Sequence, residues 1–171
     1  MVFNLKRYLG FFWNERLRGF FNDNDSNYKM NFEYINNNNI TIDGNNFIIV
    51  NGQDVKVIGS CLLLNKTVPV EYFVYDINNI VNLLFKDEDN ILVKIKNVKY
   101  LFLYEYSLLK HSYLFDLLNN ILFYRLNNNL YTTIFFLSIK NIDSFLITDE
   151  IKKRFNKINY IIDKKENSRI F

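Results

Sequence analysis

NFIIVNGQDVKVIGSCLLL, residues 46–64, carries the reading of the whole chain. Phe47–Val50 is an apolar, β-prone run, and Asn51-Gly52 behind it is the strongest short turn signal in the sequence, because both residues accept positive φ. Val55 and Val57 then alternate with Lys56, and Ile58-Gly59 opens an apolar run that continues to Leu64. The period predicts strand, tight turn, strand.

Downstream, the same period continues. Val68, Val70, Tyr72 and Val74 fall on one strand face with Phe73 and Tyr75 on the other, and Pro69 fits a strand start. A polar break at Asp76–Asn79 separates this run from Ile80–Phe85. Ile91, Val93 and Ile95 alternate with Lys94 and Lys96, and Tyr100, Phe102, Tyr104 and Tyr106 alternate with Leu101, Leu103 and Glu105. Beyond Ser107, an N-cap candidate, the period becomes helical. Leu108, Phe115, Leu118, Leu122 and Leu126 line one face, and Leu114, Leu117, Ile121 and Tyr124 line a second. A helix apolar on two sides calls for two partners. Tyr131–Ile139 fits strand or helix, and Thr148–Ile162 reads as an amphipathic helix starting near Asp149.

Upstream, residues 1–21 form an aromatic-basic segment interrupted by Lys6, Arg7, Glu15, Arg16 and Arg18, which excludes a secretory signal. Residues 22–39 read as an Asn-rich linker. The chain has no alanine and is heavy in Asn, Ile, Phe, Tyr and Lys, a bias of AT-rich codons. The runs Asn36–Asn39 and Asn127–Asn129 are accordingly read as drift at loop sites.

Composition sets further bounds. A length of 171 residues with 18% aromatics supports one cored domain with extensions, and a net charge of +3 permits an anionic partner without demanding one. No apolar run reaches the roughly 18 residues of a membrane span. Cys61 is alone, so no internal disulfide forms, and with His111 as the only histidine no zinc site can be assembled. Cys61 fits a small core residue better than a nucleophile. Asp87-Glu88-Asp89 is explained by a charged turn. Gly52 and Gly59 make no spaced phosphate-binding motif before a helix. The expectation is a non-enzymatic protein without catalytic residues, metal, cofactor or small-molecule substrate.

Two small barrels fit five strands followed by a helix. VKVIG, Val55–Gly59, resembles the glycine-bent first strand of OB-folds in the replication protein A middle subunit family. VYDINNIVNLL, Val74–Leu84, resembles that family's hairpin, with Asn78 and Asn79 in place of Thr and Gly. ILVKIKN and YLFLYEY resemble its fourth and fifth strands, and SLLKHSYLFDLLNNILFYRL resembles its C-terminal helix. The small subunits of the telomere-capping single-strand-binding complex share the pattern.

The resemblance implies a mostly β fold: a small closed five-stranded OB-like barrel followed by an amphipathic α-helix, with helical N- and C-terminal extensions. It divides the chain into residues 1–39, 40–126 and 127–171. It also implies a non-catalytic, nuclear subunit of a heteromeric single-stranded DNA-binding complex. DNA contacts would come from Tyr104, Phe85, Lys86, Lys94, Lys96 and Lys99. Other OB-fold subunits would dock on helix 108–126 through Leu114, Leu117, Ile121 and Tyr124. The alternatives are a pleckstrin-homology-like membrane adaptor anchored by residues 1–21, and a structural subunit of an organellar, for instance mitochondrial, assembly.

Overall fold

The computed structural model describes residues 25–66, 71–77, 89–105, 112–144 and 147–162. Strands and helices alternate through them: α1 (Asp25–Asn37), β1 (Asn46–Ile49), α2 (Val55–Leu64), β2 (Tyr72–Asp76), α3 (Asp89–Asn97), β3 (Tyr100–Glu105), α4 (Ser112–Asn127), β4 (Tyr131–Phe136), α5 (Ile139–Ser144), α6 (Asp149–Lys152) and β5 (Asn156–Asn159). The strands form one 5-stranded sheet in the order β2-β3-β4-β1-β5. Every neighbouring pair is parallel.

This open α/β sheet replaces the closed barrel, and with it go the OB-fold and the pleckstrin-homology alternative. Parallel neighbours need crossover connections, and right-handed crossovers distribute the helices over both faces. Two cores result. On one face α1 and α2 pack Ile35, Val57, Ile58 and Cys61 against Ile48, Tyr100, Phe102 and Phe135. On the other, Ile95, Leu118, Leu122, Ile142 and Ile151 pack against Phe47, Ile49, Leu101, Leu103, Ile134 and Phe136. Strands covered on both faces read as near-continuous apolar runs, and FIIV, YLFL and TIFF are such runs.

Two of the expected strands are helices. In α2, Asp54 is the N-cap, its side chain accepting from the Lys56 N–H at 2.9 Å. Val55, Val57, Ile58, Cys61 and Leu62 are all buried, so the apparent alternation Val-Lys-Val is the start of a helix apolar around most of its circumference. In α3, Ile95 is 1% exposed but Val93 is 59% exposed. Leu92, Ile95 and Val98 pack together toward the core at a spacing of three, which overrides the period of two. The segment expected as a linker is α1, and the expected helix from Asp149 is one short turn, α6, capped by Thr148 and followed by β5. The expected hairpin partner Ile80–Phe85 lies outside the described residues.

The asparagine runs end helices. Asn39 and Asn129 have φ of 53° and 54°, and the N–H groups of Ile40 and Leu130 return to the carbonyls of Ile35 and Arg125, each at 3.0 Å. This is the left-handed C-terminal cap that Asn tolerates better than other side-chain-bearing residues.

Candidate functional site

In an open parallel sheet, ligands gather outside the carboxyl ends of the strands, where neighbouring strands send their connections to opposite faces. Here that point lies between β1, which leads into α2 on one face, and β4, which leads into α5 on the other. The two ends are tied by the Val50 N–H, which donates to the Phe136 carbonyl at 2.9 Å.

The chain leaves β1 through a tight turn. Asn51 and Gly52 have φ of 49° and 80°, and the Gln53 N–H closes the turn on the Val50 carbonyl at 2.9 Å. Both positive angles are what the Asn-Gly pair predicts, but the turn joins a strand to a helix, not two strands. The Asn51 side-chain amide donates to the Tyr160 carbonyl at 3.1 Å and to the Asn159 side-chain oxygen, and the Tyr160 N–H donates to the Ile49 carbonyl at 3.0 Å. The turn is thus bolted to the end of β5.

A phosphate-binding loop at this junction presents free N–H groups at a helix N-terminus, a lysine for the β- and γ-phosphates and a hydroxyl for magnesium. The chain offers the same frame with different groups. Gly52 lies in the turn that precedes α2, where the sequence pattern predicted a second strand. Asp54, a carboxylate, occupies the helix N-terminus and takes the Lys56 N–H. Lys56 is exposed in the first turn. With Lys56 set against the loop lysine, the hydroxyl position falls on Val57, which is 1% exposed in the core. Across the crevice stand Leu137 and Ser138, whose Oγ donates to the Asn141 side-chain oxygen at 2.7 Å. Sequence reasoning missed this junction. Its readable signal was Asp54, an N-cap residue, immediately before an apolar run that also fits a spacing of three and four.

The described members of the expected DNA-contacting set, Tyr104, Lys94, Lys96 and Lys99, do not converge on one site. Tyr104 is half-buried near the carboxyl end of β3 and packs against the core beneath α1 and α2. Lys99 precedes β3 at its other end, roughly 16 Å away along an extended strand. Its Nζ lies 4.7 Å from the Tyr131 ring centroid and donates to the Asn129 carbonyl at 3.3 Å. Lys94 and Lys96 are exposed on α3, and the Lys96 Nζ sits 4.3 Å over the Tyr124 ring. Phe85 and Lys86 lie outside the described residues. The expected subunit interface is largely internal: Ile121 is buried and Leu117 partly buried against the sheet, and the Tyr124 hydroxyl donates to the Asn97 side-chain oxygen at 3.0 Å. The side chain of Leu114 is outside the described set.

A five-stranded parallel sheet in this order, with a glycine turn and a helix after β1, defines an α/β fold of the nucleotide-binding type. Among solved structures it is shared with replication proteins of the AAA+ class. A DNA replication initiation factor superposes with a TM-score of 0.59 at 15% identity, covering 99% of this chain and 54% of that one. DnaA from Aquifex aeolicus, solved with AMPPCP, gives 0.58 at 16% identity, covering 98% and 54%. The DnaC helicase loader gives 0.55 at 15%, covering 86% of this chain and 100% of that one. The likeness is one of fold, and the chain spans about half the length of the first two. No protein-family model matches the sequence, and no curated protein does.

These findings overturn the replication protein A resemblance and the readings built on it. OB-fold partner subunits on helix 108–126, and a single-strand-binding subunit assembled with them, have no support among DnaA- and DnaC-type folds. The exclusion of a small-molecule ligand is likewise unsupported, since DnaA was solved with a nucleotide analogue. The nuclear assignment rested on the replication protein A resemblance and falls with it, the solved structures that share the fold being bacterial-type replication proteins. The membrane-adaptor and organellar alternatives are equally unsupported. Among the described residues no helix is long and apolar enough to cross a membrane.

Proposed function

We propose that this chain is a replication-initiator or helicase-loader type of AAA+ domain that serves as an assembly module and does not hydrolyse nucleotide. The observation that carries the reading is the junction between β1 and α2. It keeps the position and frame of a phosphate loop, while the Asp54 carboxylate occupies the helix N-terminus and a buried valine replaces the magnesium-binding hydroxyl. A carboxylate there satisfies the N–H a phosphate would use and opposes a triphosphate electrostatically. Replication is the context because the solved structures sharing the fold are an initiation factor, DnaA and a helicase loader.

Two measurements test the reading. ATP turnover by the purified chain should equal that of Lys56→Ala, and a fluorescent ATP analogue should bind more tightly to Asp54→Gly than to the natural chain. ATP hydrolysis abolished by Lys56→Ala would refute the non-hydrolysing assignment. Crosslinking in the source cell followed by mass spectrometry should recover a replicative helicase or initiator; recovering no replication protein would refute the assembly role.

A further inference from the structure

We propose that the outer edge of β5 is a docking site for an extended, acidic segment of a partner protein, added to the sheet as a further strand. Among the described residues β5 pairs only with β1. The N–H groups of Asn156 and Tyr160 point inward, to the carbonyls of Asn45 and Ile49 at 2.8 and 3.0 Å. A residue's N–H and C=O point to the same side of a strand, and successive residues alternate, so those of Lys157 and Asn159 point outward. The ladder ends at Ile161, whose N–H donates to the Tyr34 hydroxyl at 3.1 Å.

Strand addition draws affinity from such main-chain groups and specificity from pockets that receive alternate side chains on the two faces. Both pockets are present, and β5 runs between them. Toward α1 lies a groove of about 360 Å³ lined mainly by uncharged polar residues, among them Tyr34, Asn38, Thr41, Asn46 and Asn156, with Ile40, Lys157 and Ile158 completing it. Toward α6 lies one of about 540 Å³, floored by Phe155 and flanked by Lys152, Lys153 and Lys157 against Asp143 and Asp149. None of these lysines forms an ion pair with a described residue. The complementary segment alternates acidic side chains toward α6 with neutral polar ones toward α1.

The same features disfavour two other occupants. Antiparallel pairing with β5 of a second copy would bring Lys157 close to its counterpart, a like-charge contact of the kind that protects edge strands. A nucleic-acid backbone would meet the outward carbonyls of Lys157 and Asn159, which are acceptors facing an anion.

The probe is a fluorescein-labelled octapeptide alternating glutamate with threonine, titrated into the full chain by anisotropy. It should bind saturably, and it should slow amide exchange at Lys157 and Asn159. Lys157→Pro, which deletes one outward N–H where an edge strand tolerates proline, should weaken binding about tenfold or more, as expected for one main-chain hydrogen bond plus a charge contact. Lys153→Glu should weaken it with β5 intact, so the test survives if the proline variant fails to melt like the natural chain. No binding, or binding without protection at these two amides, overturns the proposal. So does oligo-dT that competes more tightly, or self-association that disappears with Lys157→Pro. None of these readouts depends on whether the chain acts in replication or hydrolyses ATP.

Discussion

Arg125 is the most heavily committed side chain in the fold. It is fully buried near the end of α4, and among the described residues no carboxylate pairs with it. Its guanidinium donates to the carbonyls of Ile95, Val98 and Tyr131 at 3.0, 2.7 and 2.8 Å and to the Thr132 hydroxyl at 2.8 Å. One side chain thereby closes the end of α3 and fastens it to α4 and β4. Burial pushes its pKa down to about 10, which leaves it charged at neutral pH. Arg125→Met strands several buried carbonyls and should destabilise the protein by about 3 kcal/mol or more, read from urea unfolding. Asp43 makes a smaller, pH-dependent contribution. Burial raises its pKa, but hydrogen bonds from Lys66 and Tyr100 and the charges of Lys66 and Lys99 outweigh this and hold it below the ordinary 3.8. Its folded-state pKa is therefore lower than its unfolded one, so its contribution is full above the unfolded value and is lost as pH falls through the folded one. Asp43→Asn should reduce the drop in melting temperature between pH 6 and pH 3, by calorimetry.

At the scale of elements, α3 shows what periodicity can and cannot decide. ILVKIKN satisfies a spacing of two through Ile91, Val93 and Ile95, and a spacing of three through Leu92, Ile95 and Val98. Both templates place Ile95 inside; Leu92, Val93 and Val98 separate them, and Val93 is 59% exposed while Leu92 and Val98 pack inward. Val93→Ala should leave stability within about 0.5 kcal/mol of the natural chain, whereas Ile95→Ala should cost about 3 kcal/mol, compared by denaturant midpoints. Equal losses would revive the strand. The same ambiguity hid α2, because β-branched residues suit strands but lower helix propensity only slightly, and burial on the sheet overrides that preference. At the candidate site, Asn51-Gly52 was legible as a turn. What followed it was not, since a turn sequence does not say whether the next element pairs with the last or packs across it.

For the whole molecule, strand order is the decisive property. β4 sits between β3 and β1 although it follows them both in sequence, so the sheet cannot close until residues beyond 130 have arrived. A fragment of residues 25–129 would lack the strand that joins β3 to β1 and would expose Phe47, Leu101 and Leu103. It should remain unfolded, with no dispersed amide spectrum by NMR and no cooperative melt. A folded fragment would contradict the topology. The barrel reading stopped at residue 126 for the same reason: nothing local tells a strand that its neighbour lies thirty residues ahead.

By itself the sequence determined the local chemistry: the positive-φ turn at Asn51-Gly52, the strands at Phe47, Tyr72 and Tyr100, a helix that ends within a residue of the expected Leu126, and a core position for Cys61, whose thiol burial pushes up to about 12. These follow from steric and hydrophobic preferences spanning a few residues. Tertiary structure alone decided that the strands run parallel, that VKVIG and ILVKIK are helices, and that Asp54 and Val57 stand at the helix N-terminus that follows β1. Parallel pairing, two-sided burial and a site at the strand ends are properties of segments far apart in the chain, and their free energy appears only when those segments meet.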